Sequence, residues 1–171
     1  MSSNNKPISV LVAGALGRMG SEVIKAINSS NDYELVGAID SLKEKEGQDI
    51  GSLLGLGPLN VFVSSDFEGS LCAASQNVPK DGAKNGVVLV DFTHPKAAYK
   101  HTRTAIAYGV HAVIGTTGIT SEQLEDLSEF ANKASLGTAI IPNFSVGMVL
   151  LQQAAAAAAR FYEFVELTEM H

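Results

Sequence analysis

The sequence predicts an α/β fold built on a doubly wound parallel sheet. Three observations carry that expectation. Strand-like and helix-like segments alternate along most of the chain. Several strand-like segments are continuous apolar runs, as strands covered on both faces require. Three glycines at three-residue spacing, Gly14, Gly17 and Gly20, stand where the first strand hands over to the first helix.

Residues 8–13 (ISVLVA) form the first apolar, β-rich run. Residues 19–28 follow with apolar side chains at Met19, Val23, Ile24 and Ile27, which is helical spacing. A polar cluster from Asn28 to Asp32 ends that helix. Residues 34–39 read as the second strand, closing at Asp40. Residues 47–58 are glycine-rich and expected to be irregular, with one helical turn. A short strand is expected over 60–63, a weak helix over 68–75 and a polar surface loop over 79–86. Residues 86–91 are a strong buried strand. Pro95 opens a helix over 95–108, at a position where its missing N–H costs little. Residues 111–114 form a strand and 121–134 an amphipathic helix, with Thr120 or Ser121 as N-cap. Residues 138–141 are the next strand, 145–162 a long Ala-rich helix, and 163–170 a final strand. The organisation changes around Pro142, which places a domain boundary there: 1–142, then 143–171.

The chain has 171 residues, 46% hydrophobic and 18% charged, with a net charge of −6. That suits one well-buried domain, or one domain and part of another. No Lys/Arg stripe advertises a nucleic-acid partner. A single cysteine, Cys72, excludes an internal disulfide framework and suits a reducing compartment. Residues 1–6 lack the apolar core of a signal peptide. The longest apolar stretch, 148–159, is interrupted by Gln152 and Gln153 and falls short of the ~20 residues of a membrane span. A soluble protein of the cytosol or an organelle interior is expected, with no membrane partner.

Glycine lets a backbone turn tightly and lie against a ligand. A helix N-terminus then offers N–H groups and a positive dipole end to a phosphate. The stretch Gly14-Ala15-Leu16-Gly17-Arg18-Met19-Gly20 therefore reads as a dinucleotide site at the first strand–helix turn, with Arg18 within reach of a phosphate. Its spacing departs from the common G-x-G-x-x-G, because Ala15 takes a position away from the glycines. A tight turn with no ligand is the competing reading of the glycines alone. Asp40 lies about 20 residues on, where a carboxylate meets ribose hydroxyls. Such an acid favours NADH, whereas Lys43 and Lys45 either receive a 2′-phosphate or are simply solvated. NADH and NADPH both stay open.

Three later strand ends carry unusual residues. They are DFTHP (Asp91 to Pro95), GTTG (Gly115 to Gly118) and PNFSVG (Pro142 to Gly147). Gly115 and Gly118 permit close backbone approach, Thr116 and Thr117 offer hydroxyls, and Phe92 and Phe144 can flank an aromatic ring. Each stretch alone reads as turn chemistry, with Asp-x-Thr capping a helix. Together they point to one ligand crevice beyond the carboxyl ends of the strands. His94, His101 and His111 show no metal-ligand arrangement. His94 is expected at the surface, His101 on a helix face and His111 at a strand start.

In this order, GALGRMG, DFTHP, VIGTTG and PNFSVG closely resemble the 4-hydroxy-tetrahydrodipicolinate reductase (dihydrodipicolinate reductase) family. The resemblance runs from Ile8 to His171 and is nearest to cyanobacterial or plastid-lineage members. It implies a Rossmann domain that binds NADPH or NADH. Residues 14–19 would hold the pyrophosphate and Asp40 the adenosine ribose. Phe92, Thr93, Gly115, Thr116 and Thr117 would lie toward the nicotinamide, and Pro142, Asn143 and Phe144 would form a hinge against it. Family members often carry a basic residue after the acid; here it is Ser41. The substrate implied is a cyclic dicarboxylate, reduced by hydride transfer on the route through diaminopimelate to lysine, in a homo-oligomeric enzyme.

The family's signature stretch is E-x-H-H-x-x-K-x-D-A-P-S-G-T. Glu169-Met170-His171 matches its opening, so the resemblance implies that His171 is the proton donor. The second histidine, the lysine and the substrate-carboxylate loop do not follow. The expectation is a piece of a longer reductase. The alternatives are a non-catalytic nucleotide-binding module derived from it, and a generic Rossmann oxidoreductase acting on another amino-acid-derived substrate.

Overall fold

The structure is a computed structural model that describes residues 6–76, 86–141, 143–166 and 168. Six parallel strands form one sheet: β1 (Ile8–Ala13), β2 (Tyr33–Ile39), β3 (Val63–Ser64), β4 (Val88–Asp91), β5 (His111–Ile114) and β6 (Thr138–Ile140). Their order across the sheet is β3-β2-β1-β4-β5-β6, the Rossmann order, with its reversal between β1 and β4. The helices are α1 (Arg18–Asn28), α2 (Ile50–Leu53), α3 (Phe67–Gln76), α4 (Pro95–Ala107), α5 (Ser121–Ala134) and α6 (Val146–Ala158).

The apolar runs explain the two-sided core. Successive residues of β1 point to opposite faces. Leu11 and Ala13 join Leu71, Leu89, Ala98 and Ile114 on one face. Val10 and Val12 join Ile24, Ile27, Ile50 and Val63 on the other. The sheet is thus sandwiched, as the sequence predicts. A third cluster, built on Ile106, Leu127 and Ala131, locks α4 to α5.

Local chemistry sets the element ends. Thr120 is the N-cap of α5 and makes a full capping box with Gln123, which ties two otherwise unpaired N–H groups. Pro95 does stand in the first turn of α4. The expected 79–86 loop lies almost wholly outside the described residues.

Three expectations are corrected. The third strand is Val63–Ser64 rather than 60–63. Asn60 adopts a left-handed φ of 58°, and residues 61–63 pair instead with the 47–50 segment, through Ile50 N–H to Val61 O and Val63 N–H to Gln48 O. The final strand expected over 163–170 is not formed at 163–166, which are irregular; residues 167, 169 and 170 lie outside the described set. A strand needs a neighbour to pair with, and Phe164 is 90% exposed. The Ala-rich helix is also shorter than 145–162, and none of its residues is buried. Among the described residues, no helix is long and apolar enough to cross a membrane.

Candidate functional site

The glycine turn sits at the sheet's reversal point, where open α/β sheets form a crevice. Gly14 takes a φ of +74°, and a Cβ there would lie 2.8 Å from the Phe92 carbonyl oxygen. A Cβ on Gly20 would lie 2.0 Å from the Gly14 carbonyl oxygen. Both glycines are therefore demanded by packing, one against the turn that follows β4 and one between helix and turn. Gly17 differs. It is the N-cap of α1 with ordinary extended angles, and a Cβ there would meet only the Gly14 carbonyl oxygen, at 3.1 Å. Gly17, Arg18 and Met19 are exposed. No side chain caps the helix and no acid stands in its first turn. An uncapped, exposed helix start next to a bare backbone is a cradle for an anion. Ala15 faces the other way and is fully buried, so it shapes the turn rather than lining it. Leu16 packs partly on the same core.

Asp40 ends β2 beside this turn. Its Oδ2 accepts from Leu16 N–H at 2.9 Å and its Oδ1 from Leu42 N–H at 3.2 Å. The sequence points Asp40 at a ribose; the structure adds that it pins the turn. An ionised carboxylate has lone pairs for both tasks.

Across the reversal point, Phe92 N–H donates to Ala13 O at 3.0 Å, and Gly115 N–H donates to Asp91 O at 2.9 Å. The Phe92 ring fills the space a Cβ on Gly115 would need, 2.1 Å from it. Phe144 tilts against that ring, centroids 5.1 Å apart at 57°, and is 46% exposed. Thr116 is 7% exposed, and its hydroxyl has no hydrogen-bond partner among the described residues. A buried, unpaired hydroxyl at a strand end suits a polar ligand group. Thr117 is exposed. Asn143 Oδ1 accepts from Ser145 N–H at 2.7 Å, which fixes the entry to α6. Pro142 and His171 lie outside the described residues.

The structure thus gathers the turn, Asp40, Phe92, Gly115, Thr116 and Phe144 at one edge of the sheet. One pair escapes sequence reasoning. Asp-x-Thr does not cap α4; His94 does, accepting from Lys96 N–H at 3.2 Å. Asp91 instead turns inward, and His101 reaches it from α4 at 2.8 Å. The available signal was an acid closing a buried strand, with His101 beside the buried Thr102 and Ala98.

Comparison with known proteins agrees with this geometry. The family model "Dihydrodipicolinate reductase, N-terminus" matches residues 8–144. A 4-hydroxy-tetrahydrodipicolinate reductase of Prochlorococcus marinus (strain NATL2A) is 84% identical over 171 residues, covering 100% of this chain and 61% of that protein. One from Synechococcus sp. (strain CC9605) is 68% identical, covering 96% of this chain and 59% of that protein. The chain therefore spans about three-fifths of the length of these curated relatives. Among solved structures, dipicolinate-bound dihydrodipicolinate reductase from Paenisporosarcina sp. TG-14 superposes with a TM-score of 0.67 at 31% identity, over 91% of this chain and 55% of that one. An NAD complex of a protein from gentamicin A biosynthesis shares the fold, with a TM-score of 0.65 at 16% identity, over 91% of this chain and 41% of that one. With its Rossmann sheet, its glycine turn and these matches, the chain belongs to the dihydrodipicolinate reductase family.

Proposed function

We propose that this chain binds NADPH or NADH at the glycine turn, and that the whole protein uses the cofactor to reduce the cyclic dicarboxylate 4-hydroxy-tetrahydrodipicolinate. The observation that carries the reading is the exposed, uncapped start of α1 at Gly17, set at the sheet's reversal point. The name of the Paenisporosarcina structure, with dipicolinate bound, supports a cyclic dicarboxylate as substrate class.

When bound, the cofactor supplies a hydride. The chain's own residues do the rest. N–H groups of Arg18 and Met19 face the pyrophosphate, the Gly17 N–H being taken by the Gly14 carbonyl at 3.0 Å, and Arg18 adds positive charge at the mouth. Asp40 holds the turn through Leu16 and takes the adenosine ribose. Gly115 lets Phe92 lie flat at the strand end, and Phe92 with Phe144 walls off the nicotinamide from water. Thr116 turns its unpaired hydroxyl to the cofactor, with Thr117 beside it. Pro142 and Asn143 serve as the hinge, and His171 donates the proton. In this reading residues 1–142 are the cofactor domain and 143–171 open the substrate domain of a homo-oligomeric cytoplasmic enzyme.

Fluorescence titration with NADH and NADPH tests the first step, and consumption of either with substrate made in place by the upstream synthase tests the second. Asp40→Ala separates its two roles. Loss of the pin on Leu16 alone weakens both cofactors by the same factor, of the order of tenfold. A ribose contact weakens NADH more than NADPH. A chain that binds neither cofactor contradicts the proposal.

A further inference from the structure

Asp91 has no solvent exposure, and a buried carboxylate is costly unless donors surround it. Three donors do. The Thr93 backbone N–H and hydroxyl donate to Oδ1 at 2.7 and 2.6 Å, and His101 Nδ1 lies 2.8 Å from Oδ2. An ionised carboxylate only accepts, so His101 carries a proton on Nδ1. The same nitrogen is 3.3 Å from Thr93 Oγ1. Phe67, at the start of α3, stacks on the imidazole with centroids 3.9 Å apart and planes 14° from parallel. Helix, strand and turn are thereby joined at one buried charge.

The residue enclosed by this network is Phe92. Its backbone carbonyl lies against Gly14 and its ring covers Gly115. Residues 91 and 93 flank it and are both held by the network. The core alone does not call for a charge at this place: the register partners of Asp91 on either side, Ala13 and Ile114, are apolar and fully buried.

We infer that Asp91 and His101 are positioning residues. They fix the 91–93 turn, and through it the Phe92 ring that forms the nicotinamide wall of the cofactor site. The inference rests on the cofactor reading above and adds to it two residues outside the crevice. A wall displaced by a fraction of an ångström loses much of its value for orientation. Asp40 and the start of α1, which take the adenosine and pyrophosphate in that reading, bond to Leu16, Leu42, Ser64 and Gly14 instead, so their contacts should be spared.

The test compares NADH with ADP-ribose, which shares every part of the cofactor except the nicotinamide. Both are titrated against the full chain and its variants. His101→Phe keeps the stack on Phe67 and removes the Nδ1 donor. It should weaken NADH about tenfold, while ADP-ribose changes by less than about twofold. His101→Asn restores an N–H near that nitrogen and should return NADH to within about threefold of the parent. Equal losses for both ligands, or no loss for NADH, overturn the inference. If His101→Phe does not fold, Phe67→Leu decides, because it frees the imidazole plane without touching a hydrogen bond. A selective NADH loss of about threefold supports the inference and an unchanged NADH affinity overturns it. A parent chain that binds neither ligand refutes the cofactor reading, and the inference falls with it.

Discussion

Helices α1 and α6 each follow a strand and a turn, yet they meet different fates. In α1, Gly20, Ile24 and Ile27 are buried against the sheet. In α6 the sequence is more apolar, and not one residue is buried. Leu150 is 59% and Val146 73% exposed. Apolar content alone does not bury a helix; burial needs a covering surface. Helix α1 returns to lie over β1 and β2, while α6 leaves from the edge strand β6 in a chain that spans about three-fifths of its curated relatives' length, and nothing among the described residues buries it. The same contrast separates their turns. Gly14 and Gly20 bind α1 to the sheet by backbone contact, and α6 is joined through Asn143 to Ser145.

The largest expected difference comes from truncating one side chain in each helix. Ile24→Ala opens a cavity in a fully buried position and should cost roughly 2–5 kcal/mol. Leu150→Ala should change the stability of this chain by less than about 0.5 kcal/mol. Urea unfolding of both variants checks this. Comparable losses would mean that α6 is packed in solution.

A finer contrast lies within the α1 turn. Gly20→Ala pushes a Cβ into the Gly14 carbonyl and should destabilise by about 1–3 kcal/mol. Gly17→Ala has extended angles to occupy and should cost well under half as much. Thermal melts of the two rank them. The reverse order would show that Gly17, and not Gly20, is the glycine that packing demands.

The smallest effect concerns the α4–α5 contact. The Tyr99 hydroxyl donates to Asp126 at 2.8 Å and Arg103 pairs with the same oxygen at 2.5 Å. The Tyr99 bond first, and then Arg103, hold the Asp126 carboxyl below its ordinary value. A carboxyl lowered in the folded state stabilises above its unfolded value, about 3.9. That contribution fades as pH falls through the folded value. Between pH 6 and pH 3, Asp126→Asn should therefore lose less stability than the parent chain does. Parallel melting curves would remove Asp126 from acid unfolding.

The legible and illegible parts of this chain divide along the same lines. Sheet strands buried on both faces leave continuous apolar runs, so β1, β4 and β5 could be read directly, and the glycine turn followed from them. Four strand-end motifs identified one crevice because a parallel sheet aligns its carboxyl ends. Asn60 was not legible, since a left-handed residue leaves no periodic mark. Nor was the tie from Asp40 to the Leu16 N–H, because its partner is backbone. Asp91 and His101 stand ten residues apart on different elements, and only the packing of α4 beside β4 brings them together. The tail after α6 read as a strand by alternation, but alternation supplies no neighbour to pair with.

The cofactor turn is probed most simply by titrating NADH and NADPH into the parent chain and into Gly17→Val. Fluorescence follows binding, and melting temperature is measured in parallel. The parent should bind saturably. The variant should lose at least about tenfold in affinity, with melting shifted by only a few degrees. Undiminished cofactor binding by a folded Gly17→Val chain would show that the start of α1 is not the pyrophosphate site.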